Sequence, residues 1–141
     1  MNAKEYFSQA TRIDQRINSK LEQVHSLREL ATKATSTLTD IRVDGSRNVR
    51  SLEETIAKMV DLETEINADV DALVDLKRDI VTQIKRLTNP EYQIILELRY
   101  LCFMRWDSIA VNLCYSSPHM FRLHDAALRE IEKNMRVDLL E

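Results

Sequence analysis

Four side chains that commonly bind metals lie in the C-terminal third of the sequence: Cys102, Cys114, His119 and His124. Zinc sites combine such cysteines and histidines, with about two to four residues between paired cysteines. Here the cysteines are twelve positions apart, and the histidines fall about 140° apart on a helix that turns 100° per residue. This spacing argues against zinc, and we interpret His124 as a histidine packed in a core.

A second metal-type pattern, Glu22-x-x-His25, is the unit used by di-iron helical bundles. Those bundles need two such motifs and further inward carboxylates, whereas this sequence carries one motif. With a single glycine the chain has no Gly-rich phosphate loop. No nucleophile, base and orienting group can be assembled either. We therefore expect no catalytic residues, no cofactor and no metal site, and predict that the protein is not an enzyme.

The last helical segment carries residues that suit base recognition. At 100° per residue its apolar side chains share one side: Met120, Leu123, Ala127, Leu128 and Ile131. The other side carries Pro118, Arg122, Asp125 and Arg129, flanked by Phe121 and His119. An exposed aromatic ring can cover a thymine methyl, and an arginine can bind guanine with two hydrogen bonds. A surface helix with one stray aromatic fits the same pattern, so both interpretations stay open.

This segment must be positioned by other helices. The 141 residues include one glycine and two prolines, with 44% hydrophobic and 30% charged residues, and such a composition predicts long helices. Apolar residues recur every three or four positions from Ala3 to about Thr35, and again from Ile56 to Leu87. A Ser51-x-x-Glu54 capping box predicts the start of the second helix, which leaves residues 36–50 as a loop. Two such stripes favour an antiparallel, coiled-coil-like hairpin that forms a homodimer.

The remaining residues predict three short helices. Asn89 as a cap and Pro90 at the first helical position begin the first, "PEYQIILELRYLCFM", with Ile95, Leu98 and Cys102 expected to face inward. The second is "WDSIAVNL", and the third begins at Ser116 or Ser117 and runs to about Asn134. These are helix-turn-helix proportions. We predict an all-α protein with a hairpin domain over residues 1–89 and a three-helix domain over residues 90–141.

The charge and the cysteine content constrain the binding chemistry and the cellular compartment of the protein. The net charge is −3, and residues 90–141 hold six basic and eight acidic side chains, so few phosphate contacts are expected. No apolar leader opens the sequence, and no run is long enough to span a membrane. Two cysteines make no disulfide framework, which favours a reducing cytoplasm. A dimer would offset weak binding per module, because a tethered second module binds at high effective concentration.

The segment "LELRYLCFMRWDSIAVNLCYSSPHMFRLHDAALREI" resembles region 4 of bacterial sigma factors, a helix-turn-helix that reads promoter elements. The matching residues are Leu98-Arg99-Tyr100, Ile109-Ala110, Ser116, and Ala127-Leu128 to Ile131. The whole chain resembles short phage and prophage proteins that join a long helical region to such a domain, and most of these are described as transcriptional regulators.

The resemblance implies that Ser117, Pro118, Phe121 and Arg122 face the major groove. His119 and Asp125 border these positions and complete the candidate base-reading set. Our own candidates for phosphate contacts are Arg99, Arg105 and Lys133. The sequence departs from the pattern at Cys114, where glycine is usual, at Arg105, where a Ser or Thr cap is common, and at Ser117-Pro118, where polar and often charged residues are common.

The sequence thus predicts a dimeric helix-turn-helix protein that binds specific double-stranded DNA and regulates transcription of a phage or mobile element in the bacterial cytoplasm. Bacterial RNA polymerase is a candidate partner. Two alternatives remain: a structural or assembly protein, such as a DNA-packaging subunit, and a protein-interaction module that uses the helical hairpin. Stoichiometry distinguishes the first, since a packaging ring holds many subunits and a regulator two or four.

Overall fold

The computed structural model describes residues 1–40 and 45–140, and these residues form helices without any strand. The helices are α1 (Ala3–Asp40), α2 (Gly45–Lys85), α3 (Pro90–Leu96), α4 (Trp106–Leu113) and α5 (Ser117–Leu140). A π-helical turn, Glu97–Leu101, follows α3 directly. The predicted all-α class is confirmed.

The predicted loop over residues 36–50 is wrong wherever the structure describes it. Helix α1 continues to Asp40 and α2 begins at Gly45, while residues 41–44 of that loop lie outside the described residues. Threonine near the end of α1 is accommodated by bonding its hydroxyl to the preceding turn, since Thr35 Oγ1 donates to the Ala31 carbonyl at 2.9 Å. Ser51 lies inside α2, so the Ser-x-x-Glu pattern is not the cap of that helix.

The chain forms two compact units. The hairpin unit is Asp14–Ala72, and the terminal unit combines Met1–Ile13 with Leu73–Glu141. These limits differ from the predicted division at residue 89, because the first residues of α1 and the last part of α2 group with the C-terminal helices. The domain division itself stays a prediction.

In the hairpin unit, α1 and α2 run antiparallel. Lys20 lies 2.7 Å from Asp69 and Arg28 lies 3.9 Å from Glu63, so residues later in α1 meet residues earlier in α2. Apolar side chains are buried between the two helices: Ile17, Val24, Leu62 and Ile66. The predicted helical hairpin is therefore present, and its Lys20–Asp69 ion pair is half-buried rather than solvated.

In the terminal unit, the core gathers residues from every helix. Its largest buried side chains are Phe7, Ile80, Ile84, Ile95, Leu96, Ile109, Met120 and Ile131. Phe7 meets Tyr100 edge to face, with ring centroids 5.3 Å apart. The predicted start of α3 is confirmed: the Asn89 side chain accepts a hydrogen bond from the Glu91 amide at 2.9 Å, and Pro90 is the first helical residue.

The π-helical turn changes which side chains face inward after α3. In a continuous α-helix Ile95, Leu98 and Cys102 would share a face. A π turn holds one extra residue, which rotates the following residues away from that register. Ile95 is buried and Leu98 half-buried, but Cys102 is exposed, so its predicted inward position is wrong. Tyr100 fills the core instead.

Candidate nucleic-acid interface

Helices α4 and α5 are joined by the tight turn Cys114–Ser116. Cys114 has φ 59° and ψ 39°, which is the left-handed region. The Tyr115 amide donates to the Ala110 carbonyl at 2.9 Å, and the Cys114 amide donates to Val111 at 3.2 Å. This pair of bonds is the Schellman motif, which ends a helix through one left-handed residue. Cys114 therefore adopts the left-handed conformation for which glycine is usual at this position.

The start of each of the two helices is also defined. Ser116 caps α5, because its Oγ accepts a hydrogen bond from the His119 amide at 3.3 Å. Arg105 occupies the N-cap position of α4 and makes no side-chain cap bond there. The chain thus caps the helix carrying the candidate residues and leaves the preceding helix without a cap.

One side of α5 is buried in the terminal unit. Its buried residues are Met120, His124, Ala127, Leu128 and Ile131. Met120 packs with Ile109 and Ala110 of α4, and Leu98, Met104, Trp106, Leu113 and Tyr115 surround this cluster. Leu123, predicted to be on the same side, is half-buried. This packing fixes which side of α5 faces outward.

The outward side of α5 carries five of the predicted base-reading residues. Ser117, Pro118, Phe121, Arg122 and Asp125 are all exposed and lie within the first three turns of the helix. We call these five residues the α5 outer face. His119 does not belong to it, because its half-buried ring packs edge-on against Tyr115 with centroids 4.8 Å apart.

Phe121 is held in place although it is 41% exposed. Its ring centroid lies 5.1 Å from that of Trp106, and the Arg99 guanidinium lies 4.4 Å from the same indole ring. Arg99 Nη1 also donates to the Met104 carbonyl at 2.9 Å. A cation stacked on an indole is a favourable contact, so Arg99 and Trp106 together position the exposed aromatic ring.

His124 lies behind the outer face, and only 3% of it is exposed. Its Nε2 lies 2.8 Å from the Tyr100 hydroxyl, and its Nδ1 lies 3.5 Å from the Asp125 carboxylate. Burial raises the pKa of Tyr100 to about 12, so the hydroxyl keeps its proton and donates when His124 carries its own proton on Nδ1. Burial also lowers the pKa of His124, against the opposing effect of Asp125. The interpretation of His124 as a packed histidine is confirmed.

The predicted phosphate contacts are spread over the terminal unit. Arg105 is exposed and lies 3.5 Å from Asp107. Lys133 is exposed on a later turn of α5. Arg99 is half-buried, with part of its guanidinium engaged by Met104 and Trp106. The Arg105 and Lys133 side chains are therefore open to solvent, whereas Arg99 is held against Met104 and Trp106.

Two cations that sequence reasoning missed lie beside α5. Lys4 and Arg12 of α1 line a groove of about 270 Å³ together with Trp106, Phe121 and Asp125. Their spacing, with Ser8 between them, places them on one face of α1. This shared face can be recognised from the sequence. The position of the face next to Phe121 depends on the packing of residues 1–13, which no local pattern reveals.

Charge is divided unequally between the two units. The terminal unit holds twelve basic and eleven acidic side chains, and the hairpin unit holds eight basic and twelve acidic side chains. The negative net charge of the protein thus belongs to the hairpin unit. The unit that carries α5 has a net charge of +1, because residues 1–13 and 73–89 add cations that the count over residues 90–141 omits.

The part of the chain that the structure describes holds neither a cluster of metal ligands nor a disulfide. No three His, Cys, Asp or Glu side chains converge there to hold a metal ion. Cys102 and Cys114 are free and exposed. None of the described helices combines the length and the apolar run needed to cross a bilayer.

Comparison with known proteins yields one family. Neither a curated protein nor a solved structure matches the chain. A family model described as protein of unknown function (DUF1492) matches residues 32–132, which include α2, α3, α4 and most of α5. The match covers more than half of the 141 residues, and the chain belongs to the DUF1492 family.

Proposed function

We propose that the protein binds specific double-stranded DNA as a homodimer and regulates transcription of a phage or mobile element. The observation that carries this proposal is the arrangement of α5. Its inner side is fixed by the core, and the first turns of its outer side expose Ser117, Phe121 and Arg122. Helix-turn-helix proteins insert the N-terminal residues of their second helix into the major groove.

The chemistry of the α5 outer face suits base edges. Arg122 can donate two hydrogen bonds to guanine O6 and N7, and Phe121 can cover a thymine methyl group. The Ser117 hydroxyl can donate or accept. Because Phe121 rests on Trp106, its ring loses little freedom on binding. A rigid aromatic beside an exposed arginine therefore supports readout of a mixed sequence.

Phosphate contacts would come from cations around that face. Lys4 and Arg12 border the groove that includes Phe121 and Asp125, and Arg105 and Lys133 are exposed. Such contacts set the position of a protein on DNA without reading its sequence. A few of them predict modest affinity per module and a moderate dependence on salt.

The hairpin unit supports the dimer. Large apolar side chains stay exposed on it, including Leu21, Ile56 and Val60. A second copy that covers them would bring two reading helices to one DNA molecule, and two half-sites bind far more tightly than one. The resemblance to sigma-region-4-like phage regulators supports the same function and makes bacterial RNA polymerase a candidate partner of the bound dimer.

The proposal is tested by selection from a pool of random DNA duplexes at low and at physiological salt. The wild type is compared with Arg122→Ala and with Arg136→Ala, a matched change later in α5, where Arg136 lies 3.4 Å from Glu132 on the same helix. We expect the wild type and Arg136→Ala to enrich one motif in two spaced copies. We expect Arg122→Ala to lose about 10- to 100-fold in affinity for it.

Two results would overturn the proposal. The wild type could enrich no motif at either salt concentration, which would exclude sequence-specific binding. Alternatively, Arg122→Ala and Arg136→Ala could lower affinity equally, which would exclude readout through the α5 outer face. Circular dichroism of both variants shows whether each keeps the helical content of the wild type.

A further inference from the structure

Helix α2 carries two heptad stripes, and the hairpin uses one of them. The stripe that faces α1 is Met59, Leu62, Ile66 and Asp69. Leu62 and Ile66 are buried there. The second stripe, which we call the outer stripe, is Ile56, Val60, Glu63, Asn67 and Val70. Its steps of four, three, four and three residues place all five within an arc of about 80°. Such spacing is typical of a helix that packs on another helix.

The apolar members of the outer stripe are exposed to solvent in the described part of the hairpin unit. Ile56 is 48%, Val60 54% and Val70 40% exposed. A groove of about 310 Å³ runs between the helices on this side, where Leu21 of α1 lies with Glu63, Ile66 and Asn67. The polar residues of the outer stripe, Glu63 and Asn67, therefore border the groove. Val60 and Val70 of the same stripe lie before and after them along α2.

The order of residues in the outer stripe is symmetric. Val60 and Val70 are equally far from residue 65, and so are Glu63 and Asn67. If a second copy of α2 packs antiparallel about residue 65, each Val60 meets Val70 of the other copy, and each Glu63 meets Asn67 of the other copy. A twofold interface requires such self-complementarity. The Asn67 amide can donate to the Glu63 carboxylate across it.

A parallel dimer lacks this complementarity. It would set each stripe residue against itself, so two Glu63 carboxylates would face each other inside the interface, each with Arg28 of its own hairpin 3.9 Å away. Like charges in one partly buried layer repel, and the desolvation of each carboxylate adds to the cost. A polar residue inside an apolar heptad commonly sets the register and orientation of a coiled coil.

We propose that the outer stripe of α2 binds the same stripe of a second copy, antiparallel and centred on residue 65. The Glu63–Asn67 pair fixes the direction and register. This inference rests on the dimer of the proposed function and specifies the surface that forms it. It does not require DNA, so its test is performed without DNA and can fail independently of DNA binding.

The test uses disulfide trapping in the full-length chain. The exposed Cys102 and Cys114 are first replaced by serine, and Val60→Cys or Val70→Cys is then introduced singly, each with a different tag. In the antiparallel dimer position 60 meets position 70, whereas two copies of position 60 are about 15 Å apart along the helices. A disulfide needs Cα atoms within about 7 Å. We expect covalent dimers from the mixed variants and few from either variant alone.

Every outcome of the cross-linking test either supports or overturns the antiparallel dimer. Cross-linking of Val60→Cys with itself would show a parallel pairing and overturn the proposal. Failure of the mixture to cross-link would also overturn it, provided that titration shows reactive thiols and circular dichroism shows folded helices. Covalent dimers from the mixture would support it even if the protein bound no DNA.

A second variant tests the role of the polar pair. Glu63→Val with Asn67→Val makes the stripe apolar throughout, so the interface should tighten by about tenfold or more and lose its preference for one direction. In that background Val60→Cys should cross-link with itself as well. Retention of the strictly mixed pattern would show that the polar pair does not set the direction.

Discussion

Replacement of Cys114 by glycine should stabilise the protein. Cys114 holds φ 59° and ψ 39° in the turn between α4 and α5. In this region the Cβ of an L-residue lies too close to the backbone, at a cost of roughly 1–2 kcal/mol. Glycine removes that cost. It also makes the unfolded chain more flexible, which subtracts about 0.4–1 kcal/mol from the gain.

The expected net gain for Cys114→Gly is about 0.5–1 kcal/mol in the free energy of unfolding. The Cys114 side chain is exposed, so its removal sacrifices little packing. For a chain of this size such a gain raises the melting temperature by about 1–4 °C. The Schellman bonds of Cys114 and Tyr115 involve backbone atoms only and should persist.

Cys114→Ala is the matched control, because it removes the thiol but keeps the Cβ. We expect it to stay within about 0.5 kcal/mol of the wild type. Urea unfolding followed by far-ultraviolet circular dichroism measures both variants, with an unchanged dependence on denaturant. If the glycine variant proved no more stable than the alanine variant, the left-handed strain at Cys114 would be refuted as the source of the cost.

Three further perturbations follow from the terminal unit. Burial lowers the pKa of His124 below its usual 6.5, so the unfolded state takes up protons first as the pH falls. The contribution of His124 to stability is complete above about pH 6.5 and declines below it by up to about 1.4 kcal/mol per pH unit. His124→Gln should flatten this slope in urea titrations at pH 7.0 and 5.5, and an unchanged slope would contradict the assignment. Asn89→Ala should cost about 1 kcal/mol in the same assay, because the Glu91 amide loses its cap, whereas Asn89→Ser should retain most of it. Arg99→Lys should increase the acrylamide quenching of the single Trp106, because lysine covers the indole less completely than a guanidinium does; unchanged quenching would show that Arg99 does not shield the ring.

Local chemistry made the C-terminal helices predictable. Asn89 and Ser116 cap helices through their side chains, and Pro90 begins a helix through its fixed ring geometry; each acts within a few residues. The predicted helix "WDSIAVNL" coincides with α4. Cys114 stands where glycine is usual in the resembled pattern, and the structure places it in the left-handed conformation that ends α4. The outer face of α5 followed from helical periodicity once its start was known.

The errors arise where a local pattern does not decide the structure. Ser-x-x-Glu at Ser51 lies inside a helix, since α2 already begins at Gly45. The π-helical turn that exposes Cys102 has no recognisable sequence signature. The position of Lys4 and Arg12 beside Phe121 depends on burial of Phe7 against Tyr100, residues more than ninety positions apart. Such contacts become visible only in three dimensions.

We propose that the α5 outer face reads base pairs. The most direct test of this proposal is the ratio of affinities for a selected site and for a scrambled duplex of equal length, measured over a range of salt for the wild type and Arg122→Ala. We predict that the wild type prefers the selected site by about 10³-fold or more. Arg122→Ala should reduce that ratio by about 10- to 100-fold and leave the salt dependence unchanged. An equal loss of affinity for both duplexes would show that Arg122 contacts phosphate and would contradict base readout through α5.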